Sequence, residues 1–265
     1  MVEGARKGGG PAKSYRVEAL SKGLTLLSVF SETRQSLRLT DLCALTDIPV
    51  PTAFRLLATL QEAGYVERLG DGSYRPGAQV LTLGYAALRS LDLVQCAEGP
   101  LHALAAATGE TVNLAILSGD QIVLVVRRRR ADLVTANLAV GSTLPAVHSS
   151  LGKVLLAALE EAEVRTLVRP ASLSAAGGPN AVSAMDDLLA QLAAARRDGV
   201  ALQDQEVARG LRSLAAPIKG ADSTVVAAIN IAVNVADYTN SEILSQLKDP
   251  LLTTASEISR RLGMH

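Results

Sequence analysis

Two groups of side chains in this 265-residue chain have types and spacings that could do chemistry. The first is Thr52, Phe54, Arg55 and Thr59, in the segment PTAFRLLATL. Ala53, Leu56, Leu57 and Leu60 fall at i, i+3, i+4 and i+7, the stripe by which a helix packs on a core. At about 100° per residue, Arg55 and Thr59 then point away from the stripe, and Thr52 and Phe54 flank it. A guanidinium, two hydroxyls and a ring on a bare helix face can meet the phosphates and base edges of duplex DNA. The second group is Ser149-Ser150-Leu151-Gly152-Lys153, where the chain leaves a strand or loop and enters a helix. Free N–H groups and the positive end of the helix dipole gather there beside two hydroxyls, which suits a carboxylate. A plain helix cap by Ser149 or Ser150 accounts for the same residues, so the pattern alone leaves both readings open.

Catalysis has no positive sign. The only histidines are His102, His148 and His265, and neither Cys43 nor Cys96 lies beside one of them in sequence. No pair has metal-ligand spacing and no glycine-rich phosphate loop occurs, so no catalytic residue, metal or cofactor is expected. The run Arg127–Arg130 could hold a phosphate, a carboxylate or an acidic neighbour, but it reads first as a solvated charged face.

The elements that must position the first group run from Leu39 to Tyr74. A first helix is expected to start at Thr40, whose hydroxyl can cap it, and to carry Leu42 and Leu45 inward. Asp47-Ile48-Pro49 breaks it, because proline disfavours helical backbone in the residue before it. Pro51 suits the first turn of a second helix, and Gly64 its end. Tyr65–Leu69 and Ser73–Arg75 then pair across Gly70-Asp71-Gly72, which places Arg68 and Arg75 on a wing. Helix, turn, helix and two-stranded wing is the order of a winged DNA-binding domain. The same helices could serve as a packing motif, but the wing adds a second surface beside the recognition helix.

Residues 1–13 form a polar, glycine-rich tail. Val17, Leu20, Leu24 and Leu27 predict an amphipathic helix to about Phe30, which should pack on the motif helices and could add to a dimer contact. Residues 14–78 make the winged domain, 79–91 a linker helix and 92–265 a second domain. That domain should hold a helix over Leu93–Ala107, a hairpin of Thr111–Leu117 with Gln121–Val126, and a strand over Leu133–Val140. Helices follow over Val154–Leu159, Glu161–Val168 and Met185–Arg197, with a loop over Ser172–Val182. A strand beginning at Val200, a pair Leu211–Ile218 and Thr224–Val235, and a closing helix Ser241–Leu262 complete it. Strands bunched among helices without βαβ alternation argue α+β with an antiparallel sheet.

Net charge is zero, yet residues 1–90 carry 11 Lys and Arg against 8 Asp and Glu, and residues 91–265 carry 15 against 18. The small basic bias sits with the winged domain, where phosphates would need it. Two isolated cysteines exclude a disulfide framework. No apolar run is long enough to span a bilayer and no signal peptide stands at the start, so a cytoplasmic protein without membrane contact is expected.

Pro49-x-x-Thr52-x-x-Arg55-Leu56-Leu57-x-Thr59-Leu60-x-x-x-Gly64-Tyr65-Val66 resembles the DNA-binding domain of the IclR family of bacterial transcriptional regulators. Val50 and Pro51 depart from it, standing where the family commonly has Lys and Ser. Val140-Gly141-x-x-Leu144-Pro145, Ser149–Lys153, Asp204-x-Glu206-x-x-x-Gly210 and Leu214-Ala215-Ala216-Pro217 resemble its effector-binding domain, an α+β fold of GAF/profilin-like type. The likeness covers nearly all of residues 15–262. It implies a ligand-responsive regulator, not an enzyme, that binds double-stranded operator DNA as a homodimer, with pairing into tetramers left open. Thr40, Thr52, Phe54, Arg55, Thr59, Arg68 and Arg75 would face DNA.

The resemblance also implies a small organic acid bound by Ser149, Ser150, Leu151, Gln203, Ser213, Asn230 and Ala232. Some members have an acid in place of Gln203 and hydroxyls in place of Asn230 and Ala232, so an identical ligand is not expected. Pro145-Ala146-x-x-Ser149-Ser150-Leu151-Gly152 is closer to the branch controlling protocatechuate and 4-hydroxybenzoate breakdown, which implies an aromatic-acid effector. Arg127 matches an arginine frequent in the family, whereas Arg128, Arg129 and Arg130 have no assigned role. Two rivals stand beside this reading: an enzyme of small organic acids with an accessory winged domain, and a winged domain used only for assembly.

Overall fold

The computed structural model describes residues 16–31, 34–89, 92–130, 138–174 and 177–264. The chain divides into two compact units, residues 1–85 and 86–265.

The first unit contains α1 (Glu18–Ser28), α2 (Leu39–Thr46), α3 (Val50–Glu62), β1 (Val66–Arg68) and β2 (Tyr74–Pro76). Leu26, Leu42, Ile48, Ala53, Leu57, Val66 and Tyr74 close its core. Each fully buried leucine contributes on the order of 1.5–3 kcal/mol. Helix α2 starts one residue before Thr40, which therefore lies exposed within the first turn and caps nothing. Asp41 does that work, its carboxylate accepting the Arg38 backbone N–H at 3.1 Å. Leu45, expected inside, is 46% exposed. Helix α1 meets expectation only in part: Leu27 of the expected stripe packs on the core, half-buried. Gly23 and Leu26 face the core, while Val17, Leu20 and Leu24 face outward. Its sequence carries two apolar faces, and one unit's core has room for one of them.

Strands β1 and β2 pair antiparallel with Glu67 opposite Arg75 and Arg68 opposite Tyr74. Leu37 extends this wing by a bridge to Tyr74, with backbone N–H···O contacts of 2.9 and 2.8 Å. In the turn Asp71 accepts both the N–H and the hydroxyl of Ser73, at 3.0 and 2.7 Å. Gly72 follows at φ +83°, a backbone state that side chains disfavour.

Helix α4 (Ala78–Arg89) carries the chain from the first unit into the second. There α5 (Asp92–Thr108) leads into β3 (Thr111–Ser118), β4 (Gln121–Arg128) and β5 (Thr143–Pro145). Next come α6 (Ser150–Ala157), α7 (Glu161–Leu167), α8 (Pro170–Leu173) and α9 (Met185–Asp198). Strands β6 (Ala201–Asp204), β7 (Leu211–Lys219) and β8 (Val225–Asn234) precede α10 (Asn240–Glu242) and α11 (Lys248–Arg261). The strands form one antiparallel sheet of order β5-β4-β3-β8-β7-β6. Of the strand expected over Leu133–Val140, residues 133–137 lie outside the described residues, and Leu138–Val140 are not strand. The edge strand is instead Thr143–Pro145. The closing helix is also not uniform. A π-turn over Ile243–Leu247 separates α10 from α11, and a widened turn relieves the clash that the Pro250 ring would make with the preceding turn.

The sheet has two unlike faces, set by the two-residue alternation of side chains. Val112, Leu114, Leu214, Ala216, Ile229 and Ile231 pack with α5 and α11 residues such as Leu101 and Ile258. Ala115, Ala201, Ala215 and Ala228 face the other way, against α6 and α9. These alanines let α6 come close. A Cβ added at Gly152 would lie 2.2 Å from the Ala146 carbonyl oxygen, so glycine is required there. Helix α6 accordingly begins at Ser150, four residues before the expected Val154, with the Ser149–Lys153 motif forming its first turn.

Candidate functional site

On α3, Phe54, Arg55 and Thr59 are exposed and Thr52 is half-buried, while Ala53 and Leu57 are sealed in the core. Phe54 leaves 50% of its surface in water, unusual for a large ring. The Thr59 hydroxyl donates to the Arg55 backbone carbonyl at 3.1 Å, and the exposed Arg55 side chain has no partner among the described residues. On the wing the two arginines differ. Arg75 is ion-paired to Glu67 across the strands at 2.8 Å. Arg68 lies over the Tyr74 ring, 5.9 Å from its centroid, within cation–π range.

The second unit carries a cavity of about 30 Å³ on the α6 face of the sheet. Alanines of that face give way here to Asn113, Gln203, Ser213 and Asn230, each in register with its neighbour strand. Asn113 stands opposite Asn230, Gln203 opposite Ser213, and Ser213 opposite Ala232. Ser149, Leu151, Gln203, Ser213, Asn230 and Ala232 line the cavity. Ser150 stands behind this wall. It is fully buried, with its hydroxyl 2.7 Å from that of Ser213 and 3.4 Å from the Asn230 amide nitrogen.

The sequence reading missed Asn113, Leu124, Leu138, Leu144, Val207 and Leu211, which also line the cavity, and gave Arg127 no place in it. Alternation alone puts Leu124 and Arg127 on opposite faces of β4. A bulge brings both to the cavity: Leu114 pairs with Val126 but Ala115 with Leu124, leaving Val125 as the extra residue. Arg127 then donates to the Asn113 side-chain oxygen at 2.9 Å, and the Asn113 amide nitrogen donates to the Asn230 oxygen at 2.8 Å. The arginine run is therefore not one solvated face. Arg128 pairs with Glu98 at 3.1 Å, and Arg130 with Glu110 and Asp237 at 2.9 Å each. Arg129 alone of the four is exposed.

Lys153 of α6 forms a buried ion pair with Glu206. Burial pushes the lysine ammonium down and the Glu206 carboxyl up from their ordinary values, and each partner opposes the shift of the other. Glu206 also donates its backbone N–H to the Gln203 side-chain oxygen at 2.7 Å. A guanidinium, three amides and two serine hydroxyls with no acidic side chain make a wall that favours an anion. Among the described residues no cluster of His, Cys, Asp and Glu could hold a metal ion. Among the same residues no helix is long and apolar enough to cross a membrane.

Two family models match the chain. One, the IclR helix-turn-helix domain, covers residues 19–70. The other, the bacterial transcriptional regulator IclR C-terminal domain, covers residues 85–260. The Pca regulon regulatory protein of Pseudomonas putida is 32% identical over 245 residues, spanning 92% of this chain and 84% of that protein. A solved protein from Rhodococcus sp. RHA1 superposes with a TM-score of 0.73 at 36% identity, covering 93% of this chain and 98% of its own. An IclR homologue from Microbacterium hydrocarbonoxydans, solved with 4-hydroxybenzoate, has a TM-score of 0.73 at 25% identity and coverages of 92% and 98%. The chain belongs to the IclR family of ligand-responsive bacterial transcriptional regulators.

Proposed function

We propose that a homo-oligomer of this chain grips operator DNA with α3 and the wing, and that an aromatic carboxylate in the β-sheet cavity changes that grip. Thr40, Thr52, Phe54, Arg55 and Thr59 would meet the groove and its phosphates, with Arg68 and Arg75 on the flanking backbone. The effector would be held among Ser149, Leu151, Gln203, Ser213, Asn230 and Ala232, with Ser150 in support. The protein would work in the cytoplasm without catalytic chemistry of its own. The observation that carries the effector reading is the cavity wall: an arginine, amides and hydroxyls face leucines, with no acid among them. The 4-hydroxybenzoate bound to a relative of the same fold supports an aromatic acid.

The cavity's size supports a coupling between effector and DNA. At about 30 Å³ it is far below the roughly 300–1,000 Å³ of ordinary ligand sites. A ring can enter only if walls such as Val207 or Leu211 move outward. An acid that binds only the widened state shifts the population toward it, and any difference in DNA affinity between the two states follows. Homo-oligomerisation is supported by the outward row of Leu20 and Leu24 on α1 with Val17 just before it, each more than half exposed. Fluorescence anisotropy with DNA upstream of the gene, with and without saturating benzoate, 4-hydroxybenzoate or protocatechuate, tests the scheme. A changed affinity with at least one acid is expected; equal affinity with all three removes the aromatic effector.

A further inference from the structure

The amides of Gln203 and Asn230 could each turn either end to a ligand, and their orientation decides what the ligand must offer. Fixed donors set that orientation. The Glu206 backbone N–H, which can only donate, meets the Gln203 oxygen at 2.7 Å. The Gln203 nitrogen is left with a long 3.4 Å contact to the Leu211 carbonyl. On the opposite side Arg127, also donor-only, meets the Asn113 oxygen at 2.9 Å. Asn113 must then donate through nitrogen to the Asn230 oxygen, at 2.8 Å, which turns the Asn230 nitrogen toward Ser150 at 3.4 Å. Both amides are thus anchored through oxygen and loosely held through nitrogen. The Ser150–Ser213 hydroxyl pair can donate in either direction and does not set the sense.

We infer that Gln203 acts as a donor that selects the effector, which carries a second hydrogen-bond-accepting group, a ring-bound carbonyl or a second carboxylate, besides its first carboxylate. The inference rests on the aromatic-acid reading and deepens it. An accepting group satisfies the loosely bonded Gln203 nitrogen. A donor in its place confronts an N–H and finds no acceptor there, the costly case for specificity.

Calorimetry on the full-length protein with 4-formylbenzoate, terephthalate, benzoate and 4-aminobenzoate tests this. The first two carry an accepting second group, the third none, and the fourth a donating one. At least one accepting compound should bind the native protein about tenfold or more tighter than 4-aminobenzoate. Gln203→Glu keeps an oxygen for the Glu206 N–H but removes the donor, so it should erase or reverse that order. Binding of 4-aminobenzoate as tight as that of both accepting compounds by the native protein overturns the inference, whatever the variant does, and leaves the aromatic reading standing. An order unchanged in Gln203→Glu, with the thermal midpoint preserved, also overturns it. Absence of binding by all four overturns this inference; the aromatic reading falls with it only when 4-hydroxybenzoate and protocatechuate also fail to bind.

Discussion

Lys153 and Glu206 form a buried ion pair whose acid, through its own backbone N–H, sets the side chain of Gln203 in the cavity wall. The family-like Gly-Lys pair and the downstream acid, 53 positions apart in sequence, are therefore a single device that anchors α6 to the loop after β6. Neither group should be removed alone. Lys153→Met leaves the Glu206 carboxylate buried without its cation and should cost about 3–5 kcal/mol at neutral pH. Burial already raises this acid's pKa above that of an ordinary glutamate, and without the ammonium the rise is larger. In the variant the folded state then holds the proton more tightly than the unfolded state. Stability is greatest below the unfolded pKa and is lost as pH rises through the folded one. Chemical denaturation at pH 5 and pH 7.5 should show the smaller deficit at pH 5, and Lys153→Met with Glu206→Met should recover part of it.

The two ends of the surface proposed to face DNA should respond differently to charge removal. Arg55→Ala should weaken operator binding by about 1–3 kcal/mol if the residue reads a base, or flatten the salt dependence by about one unit if it holds a phosphate. Arg75 shares its guanidinium with Glu67, so its own loss should matter less than that of Arg55. Glu67→Gln frees Arg75 and should strengthen binding at low salt, an advantage that fades as salt screens it. Anisotropy over a salt series measures all three, and an unchanged affinity for Arg55→Ala removes this orientation of α3.

The outward row of α1 predicts an assembly phenotype. Leu20 and Leu24 are 63% and 55% exposed in one chain, on the face that does not touch the core. If a second copy covers them, Leu24→Asp buries an unpaired carboxylate at that contact and should raise the dissociation constant about tenfold or more. Sedimentation across a concentration series reads this directly. A variant that associates like the native protein, with an unaltered fold, shows that the row is not the contact.

Much of this was legible in the sequence because local rules and packing agree. The stripe Ala53, Leu56, Leu57 and Leu60 and the turn at Gly70-Asp71-Gly72 each have one low-energy reading, and α3 and the wing follow it. Sequence periodicity failed where a residue's neighbours come from distant strands. It could not choose between the two apolar faces of α1, because Leu26 owes its burial to α2 and α3. It could not place Arg127 with Leu124, because the β4 bulge exists only in pairing with β3. Asn113 gave no local signal at all. Its role depends on standing opposite Asn230, 117 positions away. The arginine run misled for the same reason, since Glu98, Glu110 and Asp237 are partners supplied by the fold.

The approach to α6 is fixed by a second buried acid, Asp120, in the turn between β3 and β4. Arg169 grips its carboxylate at 2.8 and 2.9 Å, Ser172 adds its hydroxyl, and the Asp120 carbonyl accepts the Ala146 N–H at 3.0 Å. The Arg169 hydrogen bonds, together with Ser172, hold this carboxyl below its ordinary value of 3.8, against the opposing effect of burial. Arg169 is 70% exposed, so water weakens its share of this contact. Asp120→Asn should therefore cost about 1–3 kcal/mol at neutral pH. A carboxyl with a depressed folded pKa gives stability that is present above its unfolded value and is lost as pH falls through the folded one. The gap between native and variant should be constant from pH 8 down to about 5 and close progressively below about 4. Denaturant titrations of both proteins across that range measure it. A gap that stays open in acid would assign the effect to the shape of the turn rather than to the carboxylate's charge.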